Sequence, residues 1–485
     1  MNGSQLLLLT LVLPLMGALG IAALRKRPNL RESCTLVTSV ALFLVVMQLL
    51  RLVMAGQTPS LLLIEMLPGL EIKFSIEPLG MLFASIAAIL WPINSLYSIG
   101  YMRGNNEVKQ TRFYIFFAVA ISAAMGVAFA GNLLTLFIFY EVLTLSTFPL
   151  VTHKGNNAAL KGGRIYLGIL ISTSICLLLP AIIWTWQLTG TTDFKAGGIL
   201  ADHIDGPALT LLACLFLFGI GKAAVMPMHR WLPAAMVAPT PVSALLHAVA
   251  VVKAGVFSVV KVVVYIFGLD LLKSAPNIEW LMWMACFTIL SASIIALRQD
   301  NLKKRLAYST VSQLSYIVLG ALILAPISII GAALHIIVHA FGKITLFFAA
   351  GSIYTSSKKT EVSQLNGIGH RMPWTMAAFT IGALSMIGIP PAAGFISKWY
   401  LLMGAIQAHQ QLAIGVIIIS TLLNTAYFAP VIYAAYFRRD NSDTMLSYGE
   451  APLPMVVALC MTAAATLLLF FFPAIPFSLI RMIPA

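Results

Sequence analysis

Residues 133–151 read LLTLFIFYEVLTLSTFPLV, nineteen positions with a single charged side chain, Glu141. As a helix rising 1.5 Å per residue this stretch covers about 28 Å, close to the ~30 Å of hydrocarbon in a bilayer. Hydrocarbon gives the backbone no solvent to bond with, so the segment has to satisfy its own N–H and C=O groups as a helix. The strand-length alternation that a membrane barrel would need is absent.

Outward from this stretch the chain repeats the same pattern. Of its 485 residues, 60% are apolar and 9% charged, which excludes a water-soluble domain. Candidate spans fall at 6–24, 34–54, 74–99, 113–130, 133–151, 165–188, 208–226, 242–267, 278–297, 306–324, 327–353, 374–403, 412–437 and 454–472, about fourteen in all. The expected fold is therefore an all-α integral membrane protein. The first span has no basic residue ahead of it and is followed by Arg25-Lys26-Arg27, so it reads as a retained helix and not a signal peptide. Between Glu65 and Glu77, weak alternation after Pro68-Gly69 predicts a short surface hairpin before the third span. The five cysteines stand alone, with no CxxC pair, so neither a metal site nor a cofactor is expected.

The net charge of +14 acquires meaning from where the basic residues lie. Twenty of the thirty fall in the odd-numbered connections and five in the even-numbered ones. This bias predicts a multi-pass protein of the cell inner (plasma) membrane with both termini on the non-cytoplasmic side. The remaining five are Lys222, Lys253, Lys261, Lys343 and Lys398, all inside spans, joined there by Glu141, His247, His335 and His339. An ionisable side chain at bilayer depth costs on the order of 3 kcal/mol or more, so such residues usually face the bundle interior and mark an ion path.

Each has a plainer reading beside the functional one. Glu141 is either a proton-handling carboxylate or the structural partner of a lysine on another helix. Lys222 lies in Gly219-Ile220-Gly221-Lys222-Ala223-Ala224, shortly before Pro227, whose ring breaks the helix. Lys398 follows a second break, Gly388-Ile389-Pro390-Pro391-Ala392-Ala393-Gly394. Two Pro/Gly-interrupted spans, one per half and each with a lysine, point to the paired sites of repeat-built transporters, against a simple kink with a snorkelling lysine. His335, His339 and Lys343 share one helix face at four-residue spacing. That face suits a proton wire, since histidine exchanges protons near neutrality and a lysine held away from water releases its proton more readily. A satisfied core histidine is the alternative for either ring, and a haem requires ligands from opposite sides. On an unbroken helix His247 and Lys253 fall on different faces and so serve successive steps. Lys261 lies nearer a span end, where snorkelling competes with a buried role.

Longer motifs carry a family likeness. The stretches 229–233 (HRWLP), 238–247 (APTPVSALLH), 252–257 (VKAGVF) and 305–313 (RLAYSTVSQ) resemble the antiporter-like subunits shared by respiratory complex I and the Mrp-type multisubunit sodium/proton antiporters. The resemblance covers roughly residues 75–437, and length together with Lys398 is most similar to the D-type Mrp subunit. It implies fourteen helices with two inverted five-helix repeats, within which the two interrupted spans become helices 7 and 12. The corresponding limits are 1–112 for the first three helices and hairpin, 113–268 and 269–437 for the repeats, and 438–485 for the last helix. It also implies that Glu141, Lys222, Lys253, His335, His339 and Lys398 translocate protons; the residue reading adds His247 and Lys343 to that path and puts Pro227, Pro390 and Pro391 at the breaks. Partners would be other membrane subunits and the lipid bilayer, with protons and Na+ as cargo and no nucleic acid. The alternatives are a proton-pumping subunit of a complex I-like NADH-quinone oxidoreductase or membrane-bound hydrogenase, a quinone-handling redox subunit, and a passive scaffold of a membrane arm.

Overall fold

The computed structural model describes residues 2–67, 70–439 and 449–484. Two long helices open the chain, α1 (Gly3–Ala23) and α2 (Pro28–Met54). Asn2 caps α1 by accepting from the Gln5 N–H, which satisfies one of the donors a helix start leaves free. An antiparallel hairpin follows, β1 (Ser60–Leu67) paired with β2 (Leu70–Ser75). It begins five residues before the expected alternation because β1 is apolar on both faces, with Leu62, Leu63 and Ile64 exposed. The expected Pro68-Gly69 turn lies outside the described residues.

Helices α3 (Pro78–Gly104), α4 (Gln110–Ala128), α5 (Leu133–Val151) and α6 (Asn157–Thr189, with a π turn at Ser174–Leu178) follow, α4 packing on α1 and α5 on both α4 and α6. Asn132 and Asn156 cap α5 and α6 through their side-chain oxygens. Next comes α7 (Gly206–Gly219), which stops short. Here the sequence expectation needs correcting, because the helix ends before Lys222 and not at Pro227. Gly219 and Gly221 lie so close to the Leu178 backbone and the Thr173 side chain that a Cβ would stand 2.5 and 2.3 Å from them. The chain unwinds at this close approach, so Lys222 lies in the break, in a 3-10 turn over Gly221–Ala223.

The expected single helix over 242–267 is likewise interrupted. A turn of helix at Thr240–Ala244 passes into a π turn at Leu245–Val249, and only then does α8 (Val251–Val262) begin, itself ending in a π turn at Val263–Phe267. His247 and Lys253 are therefore not related by one regular helix.

The second half runs α9 (Glu279–Leu297), α10 (Leu302–Leu322) and α11 (Pro326–Ser357), then α12 (Pro373–Ile387) and α13 (Gly394–Gln407) on either side of the Gly388–Ala393 break, then α14 (Gln411–Phe437) and α15 (Leu453–Phe471). Gly388, at φ +92°, ends α12 in the left-handed region that favours glycine. Among the described residues, ten helices are long and apolar enough to cross a membrane, and α7 and α12 are shorter apolar helices. At the centre is α11, packed against α3, α10, α12, α13 and α15 and buried along most of its length from Ser328 to Ile353.

Candidate functional site

The buried core of this bundle is unusually polar. Lys222, Lys253, Lys261, Lys343, His335 and His339 are wholly buried, and Lys398 is 6% exposed. Their polar atoms need partners, since an unpaired group in such surroundings costs several kcal/mol.

On the first broken helix, the Lys222 Nζ donates to the Tyr140 carbonyl at 2.8 Å and to the Thr144 Oγ1 at 2.6 Å. It also sits 3.0 Å from the centre of the Tyr140 ring, while the Lys222 N–H donates to the Tyr140 hydroxyl at 3.1 Å. The break is held in place by Trp231, whose indole N–H donates to the Gly221 carbonyl at 3.0 Å. Glu141 is one residue along α5 from Tyr140, yet it makes no ion pair with Lys222. Both its carboxylate oxygens are buried and lack a hydrogen-bond partner among the described residues. Lys222 thus bonds residues on either side of Glu141 on α5 and not Glu141 itself.

Next along the core, the Lys253 Nζ meets the His339 Nδ1 at 2.8 Å, joining α8 to α11. One helical turn away on α11, His335 faces His339 with ring centres 6.2 Å apart. Its Nε2 contacts the Gln313 Oε1 at 3.0 Å and its Nδ1 the Ser397 Oγ at 2.9 Å. An amide oxygen only accepts, so the network assigns the neutral ring's proton to Nε2.

The second break supplies the hub. Ending α12 at Ile387 leaves carbonyls of its last turn without helical donors, and the Met386 carbonyl accepts from the Lys398 Nζ at 2.9 Å, the Gln313 Nε2 at 3.3 Å and the Asn424 Nδ2 at 3.3 Å. Lys398 donates further to the Ile387 carbonyl at 2.8 Å. From Asn424 the chain of contacts continues to the Tyr427 hydroxyl, then to Ser309, whose Oγ accepts from the Lys343 Nζ at 2.6 Å. Lys343, His335 and Lys398 are therefore ends of one continuous hydrogen-bonded network in the second half. Lys222 stands apart from it. The side chain of His247 lies outside the described residues.

Sequence reasoning leaves Lys261 between two readings and misses its partner, Glu77. Lys261 does not snorkel. Its Nζ donates to the Ala130 carbonyl at 2.7 Å, faces Glu77 at 3.3 Å and lies 4.2 Å from the Phe194 ring centre. Glu77, which the sequence puts at the end of the surface hairpin, is the residue before α3, and its carboxylate turns inward to Lys261. The signal available in the sequence was its place at the very start of an apolar span, opposite a lysine near the end of another. No group of three or more His, Cys, Asp or Glu arranged for a metal occurs among the described residues.

Comparison with known proteins bears on the family and the fold. The profile of the family described as "NADH:quinone oxidoreductase/Mrp antiporter, TM" matches residues 130–424. NADH-quinone oxidoreductase subunit N of Desulforudis audaxviator is 33% identical over 374 residues, covering 76% of this chain and 74% of that protein. The A/B subunit of a probable K(+)/H(+) antiporter of Rhizobium meliloti is 31% identical over 422 residues, 85% of this chain but 41% of the longer relative. Among solved structures, a chain of the Mrp complex from Dietzia superposes with a TM-score of 0.87 at 20% identity, covering 100% of this chain and 97% of its own. A chain of the membrane-bound sulfane sulfur reductase, an archaeal respiratory membrane complex, gives 0.86 at 21% identity and covers 99% and 98%.

Proposed function

This chain belongs to the NADH:quinone oxidoreductase/Mrp antiporter transmembrane family, and we propose that it conducts protons through the bundle along Lys222, Lys253, His339, His335 and Lys398. The observation that carries this reading is the continuous hydrogen-bonded network through the Met386 carbonyl, which ties His335, Lys343 and Lys398 together without a described carboxylate to neutralise them. Buried amines and imidazoles that face one another instead of lipid are what a proton path requires.

In this scheme Glu141 and Lys222 are the entry switch. Paired, the carboxylate stabilises the charged amine; parted, as here, Tyr140 and Thr144 hold the amine and its proton is released more easily. The proton passes inward to Lys253 and the His339 Nδ1, crosses to His335, and reaches Lys398 by way of the Ser397 hydroxyl that touches the His335 Nδ1. Return of Lys222 to Glu141 resets the entry. His247 serves the step beside Lys253, and Lys343 biases the second half by its charge.

The finer architecture in this reading is fourteen helices with inverted repeats over 113–268 and 269–437, flanked by 1–112 and 438–485. Both termini lie on the non-cytoplasmic side of the inner membrane, as the basic-loop bias favours. The cargo is H+ exchanged for Na+ within a multisubunit Mrp-type complex, and the chain performs no redox chemistry of its own. The second reading, a proton-pumping subunit of a complex I-like oxidoreductase or membrane-bound hydrogenase, is favoured by the 33% identity to the subunit N protein.

Proton flux into vesicles carrying the assembled complex tests the proposal. Lys222→Ala and Glu141→Ala should each abolish flux while the complex still assembles, and full activity in both overturns it. Na+-dependent collapse of an imposed pH gradient selects the antiporter reading, whereas co-purification with hydrogenase or quinone-reducing subunits selects the other.

A further inference from the structure

A second set of buried ionisable groups lies off the path proposed above. Lys261 is on α8 eight residues beyond Lys253, about 12 Å along the axis and about 80° around it, so the two lysines share one half of the helix. Phe257 fills the turn between them, its ring centre 5.4 Å from the Lys261 Nζ and 5.2 Å from that of Phe83. The groups around Lys261 come from the even-numbered connections, opposite most of the basic residues: Glu77 before α3, Ala130 between α4 and α5, and Phe194 between α6 and α7.

A purely structural ion pair at this depth needs close geometry and satisfied lone pairs. Both conditions are only half met. The short bond of Lys261 goes to the Ala130 carbonyl at 2.7 Å, while the Glu77 carboxylate stands at 3.3 Å, outside the ~2.7–2.9 Å of a charge-assisted hydrogen bond. The Glu77 Oε2 has no hydrogen-bond partner among the described residues, and neither has the buried hydroxyl of Tyr265, one turn past Lys261. Beyond Glu77 lies a further acid and base, Asp193 and Lys73, paired at 2.7 Å. They belong to the same loops, since Asp193 precedes Phe194 and the Gly131 N–H next to Ala130 donates to the Lys73 carbonyl. Side-chain exposure rises outward from 0% at Lys261 to 14% at Glu77 and 42% at Asp193.

We propose that Glu77 and Lys261 form a proton outlet for the first half, carrying protons from Lys253 to the non-cytoplasmic surface. The inference rests on the proton path proposed above and adds a branch to it. Lys261 first hands its proton to the Glu77 carboxylate, leaving a neutral amine beside a neutral acid. When Phe257 turns aside, that amine takes a proton from the Lys253 ammonium. The new positive charge favours the ionised carboxylate, so Glu77 releases its proton outward past Asp193 to water. The ion pair is restored, and one proton has moved from Lys253 to the surface.

Two variants separate this role from a structural one, each measured by proton flux into vesicles carrying the assembled complex. Lys261→Arg keeps a cation beside Glu77, but a guanidinium does not give up its proton. Glu77→Gln with Lys261→Met removes both charges and leaves neither uncompensated. Each should assemble and conduct about tenfold or more slowly than the parent protein; should one fail to assemble, the other decides. Parent-rate flux in either assembled variant, with Lys222→Ala inactive, overturns the outlet alone. Parent-rate flux in Lys222→Ala instead overturns the path on which the outlet rests.

Discussion

At the scale of single residues, the hydrogen bonds around Lys222 set the balance between its two partners. Thr144 holds the amine at 2.6 Å, and Thr144→Val keeps the shape while removing that acceptor. A hydrogen bond to a charged group contributes about 1.5–3 kcal/mol, so the amine should shift toward Glu141 and proton flux in vesicles should fall at least tenfold with assembly unchanged. His153, just beyond the end of α5, makes a different prediction. Burial, with Arg112 in support, pushes its imidazole down from the ordinary 6.5 to about 4. The unfolded chain therefore binds the extra proton between those values and the folded one does not, so stability rises with pH across that window. Acidifying from pH 6.5 to 4 should lower the Tm of the complex, and His153→Gln should flatten that dependence.

The elements obey close-approach rules that single residues enforce. The second break works because Gly394 starts α13 directly against the Ser385 carbonyl of α12, where a Cβ would come to 1.6 Å. No side chain fits there without parting the two half-helices, and parting them moves Lys398 off the Met386 and Ile387 carbonyls. Gly394→Ala should thus cost at least the ~1–3 kcal/mol typical of overpacking, read as a lower Tm, and should abolish proton flux even where the complex still forms. The spacing of proline and glycine made both breaks legible in advance. What it did not reveal was that Lys222 lies inside the first break, because the helix yields at Gly219 to the backbone of α6 and not to its own proline. Similarly, the π turns that flank α8 leave no mark in an apolar run, since Val, Leu and Ala suit either helical pitch.

For the molecule as a whole, the Glu77–Lys261 pair links the start of α3 to the end of α8, 184 residues apart in sequence, at 3.3 Å and with side-chain exposures of 14% and 0%. Breaking a buried pair by removing one partner leaves the other charge uncompensated and typically costs ~3–5 kcal/mol. Glu77→Gln and Lys261→Met should each lower the Tm of the complex markedly, while the double replacement should recover most of the loss; additive losses would show that the two do not interact energetically.

By itself the sequence determined that the chain spans a membrane many times, that five lysines lie within its spans, that two spans are broken, and to which family the chain belongs. Those conclusions rest on transfer energies and periodicities that each residue carries locally. Only the tertiary structure decided what those charges touch: the Met386 carbonyl as a shared acceptor, Ser397 and Gln313 on His335, Tyr140 and Thr144 on Lys222, Glu77 on Lys261. Each is a contact between segments 22 to 184 residues apart, or a carbonyl freed by a helix end. Such partners are chosen by how the helices pack, and a backbone oxygen has no letter in the sequence to announce it.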